Sequence, residues 1–280
     1  MKFTQEITED VFLITGSHPA GIDTSSALIL SKRQAIVVDS FFYPNEALRL
    51  LRTIRTKGKE LITLVNTHWH LDHTAGNQFF KVRIVAHRHC KELMKTDLPA
   101  QLKKAKTEYP EQFEEVMIKY PDQTFEQQFR LELEEKDLTL MHFPGHTPDS
   151  IVGYLKGERV LVAGDTVMEL PFVGYGDSKK LINSLTSIQE MNVNTIIQGH
   201  GGLCEKSKLS EDIKYLETTR KIVKEYTDLG KSIDEILKLP MEFFLPPHRV
   251  KCLHDSYKTV VHKRNLNKIY EEITHLEKFQ

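Results

Sequence analysis

Seven consecutive residues, Thr67-His68-Trp69-His70-Leu71-Asp72-His73, constrain this chain more than any other stretch. The apolar run Leu61-Ile62-Thr63-Leu64-Val65 before them reads as a buried strand, and Thr74-Ala75-Gly76-Asn77 after them as a turn or the start of a helix. Side chains alternate along an extended backbone, so His68, His70 and Asp72 are expected to point one way from the strand's end. His73, at the turn, can swing round to a neighbouring position. Three imidazoles and a carboxylate then converge on a volume suited to a borderline metal such as zinc. A histidine-rich loop without a metal is the plainer alternative, and it leaves the crowding of these four groups at a strand's end unexplained.

The flanking sequence supplies a sheet on which to mount them. Val11 to Thr15, Ser26 to Leu30 and Ala35 to Val38 read as successive strands. A helix from Asn45 follows, with Ala47, Leu48, Leu51 and Ile54 on one face and Gly58 as its stop, and Val82 to Ala86 is a further strand. The first third is thus an α/β layered design, preceded by a polar Met1 to Asp10 without the apolar core of a signal segment. From Cys90 to Gln128 the composition shifts to Lys, Glu, Gln and Leu, broken by Pro99, Pro110 and Pro121. This reads as an insertion of two or three amphipathic helices (about 90–128) that buries against the body or forms a flap. Strands resume at Phe129 to Leu133 and Leu138 to Phe143, followed by a hairpin of Ile151 to Leu155 with Arg159 to Ala163. A helix over Asp177 to Met191 and a strand at Thr195 to Ile197 complete a unit spanning 1–204. Residues 205–280 form a helical extension: a stripe from Leu209 to Tyr226, a capping box of Ser232 with Glu235, and a final helix from Tyr257 to Phe279.

Bulk properties narrow the function. A formal net charge of −1 gives no basic field for nucleic acid or an anionic membrane, and no apolar run approaches a membrane span. Cys90, Cys204 and Cys252 are scattered and odd in number, which argues against a disulfide framework and for a reducing, cytoplasmic setting.

One event recurs along the chain: an apolar strand ends, a small residue turns the backbone, and a ligand-type side chain follows. It happens at His68, at His146 in Pro-Gly-His-Thr, at Asp165 in Gly-Asp-Thr and at His200 in Gly-His-Gly. Alone, Pro-Gly-His-Thr is equally a turn with a solvent histidine, and Gly-Asp-Thr a turn with a helix cap. Together, and in this order, the motifs resemble those of the metallo-β-lactamase superfamily over residues 1 to about 204. That resemblance implies an αββα four-layer sandwich of two sheets with helices outside, here with an added C-terminal helical segment. It implies two divalent ions, zinc with iron or manganese as alternatives. His68, His70 and His146 would hold one ion and Asp72, His73 and His200 the other, with Asp165 bridging. Asp39, closing the strand from Ala35, matches the family's supporting aspartate. Asp72 would assist catalysis by orienting a bridging hydroxide or moving its proton.

An aspartate rather than a cysteine at 165 resembles the glyoxalase, lactonase and RNA-processing branches. A histidine at 70 argues against the di-iron flavoprotein branch. The expected activity is hydrolysis of a small ester, thioester or lactone. The alternatives are a mononuclear iron persulfide dioxygenase and, disfavoured by the charge balance, an RNA-processing phosphodiesterase. A small-molecule substrate is expected, with no membrane partner, and the C-terminal helices are a candidate homodimer surface or entrance wall. Substrate contacts are not identified by pattern. His18, the run Phe41-Phe42-Tyr43, and the cations Lys251, Lys258, Lys263 and Arg264 are the candidates. The other histidines, His87, His89, His142, His248, His254, His262 and His275, fit no ligand spacing.

Overall fold

Strands buried on both faces lose the in-out alternation of a surface sheet and read as unbroken apolar runs. In the computed structural model, which describes residues 3–277, this is the condition of the central strands in both sheets. The first sheet holds β1 (Phe3–Thr8), β2 (Val11–Ser17), β3 (Asp23–Leu30), β4 (Gln34–Val38), β5 (Glu60–Val65), β6 (Arg83–His87) and β7 (Gln123–Phe125), side by side in that order. The second holds β8 (Gln128–Leu133), β9 (Lys136–His142), β10 (Ile151–Leu155), β11 (Val160–Gly164), β12 (Thr195–Gln198) and β13 (Leu203–Cys204).

Pairing is antiparallel from β1 to β4 and parallel from β4 to β7. The second sheet is antiparallel except for β11 with β12. Parallel neighbours need a crossover, and helices supply it. α1 (Pro44–Thr56) joins β4 to β5, with Pro44 in its first turn where a missing N–H is harmless. α6 (Ser178–Glu190) joins β11 to β12, its N-terminus capped by the Asp177 carboxylate accepting from Lys180 N at 2.9 Å.

Four layers follow from which residues each strand turns inward. Val11, Leu13, Ile29, Ile36 and Val65 of the first sheet meet Leu138, Leu140, Ile151, Val162 and Ile197 of the second. The opposite faces of the same strands, Phe12, Ile14, Leu28 and Val37, pack under Ala47, Leu50 and Ile54 of α1. The outer face of the second sheet (Val152, Leu161, Ala163, Ile196) is covered by α6 together with α7 (Ser207–Asp228) and α10 (His262–Glu277). The C-terminal helices therefore share one hydrophobic cluster with the sheet. The insertion forms α3 (Arg88–Thr96), α4 (Leu98–Glu108) and α5 (Pro110–Phe113). Cys90, Met94, Leu98, Leu102 and Phe113 of these helices pack against Trp69, Leu71 and Ala75, so the insertion braces the histidine-rich stretch from outside.

The structure departs from the sequence reading at four places. β1 was hidden by its polarity: it is an edge strand with Gln5 and Glu6 exposed, as edges generally are. β7 and β13 are too short to show a period of two. Leu71–Thr74 is a single helical turn, α2, so Asp72 and His73 are helical and the expected alternation stops at His70. The last helix begins with a π-helical turn at Tyr257–Val261 before α10, and Phe279 lies outside the described residues. The Ser232–Glu235 capping box is formed at the start of α8 (Ile233–Ile236), ahead of the short α9 (Pro247–Cys252). Among the described residues no helix is long and apolar enough to cross a membrane.

Because α7 and α10 bury their apolar faces in the cluster that covers β10–β12, the C-terminal helices should unfold with the sandwich. Leu216→Ala removes a fully buried side chain there and is expected to destabilise the protein by about 2–5 kcal/mol. Urea melts read by Trp69 fluorescence and by helical circular dichroism should shift together. A helical signal that melts early while the Trp69 transition stays in place would contradict this.

Candidate metal centre

Ligands in α/β sheets gather beyond the carboxyl ends of parallel strands, where loops can turn side chains into a common crevice. Here β4, β5, β11 and β12 each release a polar side chain within three residues of their last hydrogen bond: Asp39, His68, Asp165 and His200. His146 arrives on the loop between β9 and β10, and α2 carries Asp72 and His73.

The seven ligand-type groups form two sets. His68 Nε2 and His146 Nε2 lie 3.0 and 3.1 Å from His70 Nδ1, and Asp165 Oδ2 lies 3.7 and 3.4 Å from the same two Nε2 atoms. In the second set Asp72 Oδ2 is 3.4 Å from His73 Nε2 and 3.2 Å from His200 Nε2. Asp165 reaches both sets, with Oδ1 3.2 Å from His73 Nε2 and Oδ2 3.5 Å from His200 Nε2. Ligands about 2.0–2.1 Å from a tetrahedral ion stand roughly 3.3 Å from one another, and these separations have that size.

Outer-ring contacts decide which nitrogen each imidazole turns inward. His68 Nδ1 donates to Thr67 Oγ1 (3.0 Å), His73 Nδ1 to Asp39 Oδ2 (2.8 Å), His146 Nδ1 to the Phe172 carbonyl (2.9 Å) and His200 Nδ1 to the Asp23 carbonyl (2.8 Å). Assigning protons to those outer nitrogens leaves the Nε2 lone pairs of these four rings facing the centre, the tautomer that binds metals, while His70 turns its Nδ1 inward. A single proton on His70 Nδ1 cannot satisfy both nitrogens that face it. His73 Nε2 and Asp165 Oδ1 are buried without a hydrogen-bond partner among the described residues. Orphaned donors and acceptors of this kind fit a cation between them. Asp39 is the hub of the support: besides His73 it accepts from Thr67 N at 2.8 Å and Thr67 Oγ1 at 2.7 Å. Its backbone sits at φ 65°, a strained setting typical of functional sites.

Charge divides the sets in the same way. Burial holds His68 well below the usual imidazole range, pushes His70 down to about 3 and lowers His146, so these rings are neutral. Burial opposes a charge on His73 and His200 as well, but Asp165 and Asp72 overcome it, raising His73 well above its ordinary value and His200 to about 10. The two carboxylates stay ionised despite burial because the surrounding histidines hold them well below the carboxylate range. Without a cation, protons on His73 and His200 balance two buried negative charges, and a divalent ion would displace them. Backbone clearance is tight: a Cβ on Gly199 would overlap Asp165 Oδ1.

The sets open onto a cavity of about 430 Å³. His18 lines it, 3.8 Å from Asp72 Oδ2, neutral because burial lowers it to about 4. Phe41 is fully buried between the first sheet and α1, and Phe42 packs with Tyr43 and with Tyr109 and Phe113 of the insertion, so none of the three lines the cavity. Of the four cations considered, Arg264 alone belongs to the wall. Sequence reasoning missed Gln101, which accepts from Leu71 N at 3.0 Å and so tethers α2 to the insertion, and also Phe172, Tyr175 and Tyr257. The signal for two of them was the run Phe172-Val173-Gly174-Tyr175-Gly176, an aromatic and glycine loop that begins after the five residues following Gly-Asp-Thr. Of the remaining histidines, His87 and His142 stack on each other at 4.0 Å, and His262 bonds Tyr215, away from the cluster; the side chain of His275 lies outside the description.

Residues 20–200 match the profile of the metallo-beta-lactamase superfamily. A "beta-lactamase-like protein 2 homolog" of Caenorhabditis elegans is 27% identical over 84% of this chain and 76% of its own length. A hydroxyacylglutathione hydrolase of Haemophilus influenzae is 29% identical over 61% of this chain and 81% of its own. Among solved structures, the DIM-1 metallo-beta-lactamase superposes with a TM-score of 0.64 at 22% identity, covering 77% of this chain and 97% of that one, which shows a common fold. The chain belongs to the metallo-beta-lactamase superfamily, and it is an enzyme of the superfamily's metallo-hydrolase class.

The charge balance has a measurable consequence. A proton on His200 stabilises the metal-free fold fully below the unfolded value of about 6.5, and this stabilisation is lost as pH rises through the folded value of about 10. The difference in Tm between zinc-loaded and chelated protein should therefore widen from pH 6.5 towards pH 10. A difference that stays constant or narrows over that window would contradict the assignment.

Proposed function

We propose that this enzyme holds two divalent cations and hydrolyses a small ester, thioester or lactone. The observation that carries this reading is Asp165, whose two oxygens face both ligand sets at once. His68, His70 and His146 would hold one ion, Asp72, His73 and His200 the other, and Asp165 both. The all-nitrogen and oxygen donor set suits zinc, with iron or manganese admitted by supply. Such a pair supplies Lewis acidity and makes a nucleophile of water near neutral pH.

The chain's own groups do the rest. Asp72 is the one member of the cluster that is not fully buried, so its carboxylate is presented to the cavity, where it can orient the attacking water and take or return a proton. Asp39 and the Phe172 and Asp23 carbonyls hold the imidazoles in one tautomer, so no reorganisation is needed as charge develops. Apolar walls from Met168 and Phe172 exclude bulk water on one side. The likeness to a protein named hydroxyacylglutathione hydrolase supports a thioester among the candidates. The placement of His200 beside Asp72 favours two ions over the mononuclear dioxygenase, and the near-neutral charge disfavours an RNA substrate. Three unpaired cysteines fit a cytoplasmic location, which is part of the same proposal.

A panel of thioesters, esters, lactones, phosphodiesters and β-lactams, run on protein of known metal content, tests this. One of the first three classes should turn over, with Asp72→Ala and His146→Ala each lowering kcat/KM by about a hundredfold or more in folded protein. Unchanged turnover in either variant, or sulfite formation with oxygen uptake from a persulfide, would remove the proposal.

A further inference from the structure

The cavity's inner end belongs to the histidine cluster; its outer wall is built by the C-terminal segment and includes one Lys or Arg side chain, Arg264. The guanidinium carbon lies 5.0 Å from the Phe172 ring centre and 4.5 Å from that of Tyr175. Other arginines of this segment are committed to carboxylates, Arg220 to Glu272 at 2.7 Å and Arg249 to Glu211 at 3.0 Å. Among the described residues none supplies Arg264 with a carboxylate; it has two aromatic faces instead.

This platform is held in place. Asn265, fully buried beside Arg264, accepts from Val173 N at 2.9 Å and donates to the Pro171 carbonyl at 2.7 Å, clamping the backbone on both sides of Phe172. The Phe172 carbonyl between those bonds accepts from His146 Nδ1 at 2.9 Å. Gly174 leaves room for the assembly, since a Cβ there would overlap the Phe172 ring and stand 3.4 Å from Arg264 Nε. The same rings touch the cluster, Tyr175 at 4.8 Å from the His70 ring and Phe172 at 5.6 Å from the His146 ring. One aromatic ring thus separates the guanidinium from two of the metal-ligating histidines.

We propose that Arg264 recognises an anionic group on the substrate, a carboxylate or a phosphate, joined by a short apolar span to the scissile carbonyl. Stacking occupies the faces of a guanidinium and leaves its N–H edge free for two parallel hydrogen bonds to such an anion. The wall along the span is apolar, made by Ile22, Met168, Val260 and Val261. The inference deepens the hydrolase reading and depends on it only for the nature of the bond that is cut.

Three non-hydrolysable thioethers that differ in one terminal group test it: 3-(hexylthio)propanoate, 2-(hexylthio)ethyl phosphate and 3-(hexylthio)propanamide. Binding to the full-length, zinc-loaded protein is read by calorimetry and by fluorescence of Trp69, the single tryptophan, whose ring lies 5.8 Å from Tyr175. At least one anion should bind about tenfold or more tighter than the amide, and the tighter of the two identifies the class. Arg264→Gln should bring it down to the amide's affinity, and Arg264→Lys should fall between. Equal affinity of the native protein for all three probes, or a preference that survives in Arg264→Gln, would overturn the inference. Turnover of the matching thioesters on the same samples separates the two proposals. An Arg264-dependent preference without turnover keeps the anion site and removes a thioester as the substrate, and turnover without the preference does the reverse.

Discussion

The inner atoms of this site cannot satisfy one another. His68, His70 and His146 turn three nitrogens with at most one proton among them into a space about 3 Å across, and the Asp165 carboxylate sits beside two of them. Folding alone gives no reason to collect such groups, since each buried lone pair or charge left uncompensated costs on the order of 1–3 kcal/mol. A pair of cations would compensate all of them together. The ring of outer contacts through Thr67, Asp39, Phe172 and Asp23 keeps the groups from relaxing into other arrangements.

The sandwich is arranged to bear that conflict. Parallel strands in each sheet end at the same rim, so loops from both sheets supply ligand-type side chains to one crevice while the core between the sheets is apolar. Two further parts of the chain stiffen the rim. The inserted helices pack against Trp69 and Leu71 and tether α2 through Gln101. The last helix clamps Phe172 through Asn265, and Phe172 in turn orients His146. Segments that lie apart from the ligands in sequence therefore set how accurately those ligands are aimed, and the same segments form the wall that a substrate would meet.

Much of this was legible from residues alone. The ligand-type side chains could be found because each follows an apolar strand and a turn, and such local patterns are written in consecutive residues. Asp39 was legible for the same reason, standing directly after Ala35 to Val38. What escaped was non-local or short. α2 spans four residues, less than the pattern needed to tell a helix from an extended stretch, so Asp72 was placed on an extended strand end when a helical turn holds it. β1 is a polar edge, and β7 and β13 are too brief to alternate. Arg264 and Tyr175 meet through the packing of α10 on the second sheet, which no period in either segment encodes. Phe41 to Tyr43 sit close to the site in sequence, yet Phe41 packs under α1 and Phe42 and Tyr43 pack into the insertion.

The central claim is that seven side chains enclose two cations with one carboxylate between them. Anomalous diffraction from crystals grown with zinc measures this directly. The account predicts two peaks, one among His68, His70 and His146 and one among Asp72, His73 and His200, with Asp165 contacting both. A single peak, or zinc bound elsewhere with this cluster empty, would contradict it.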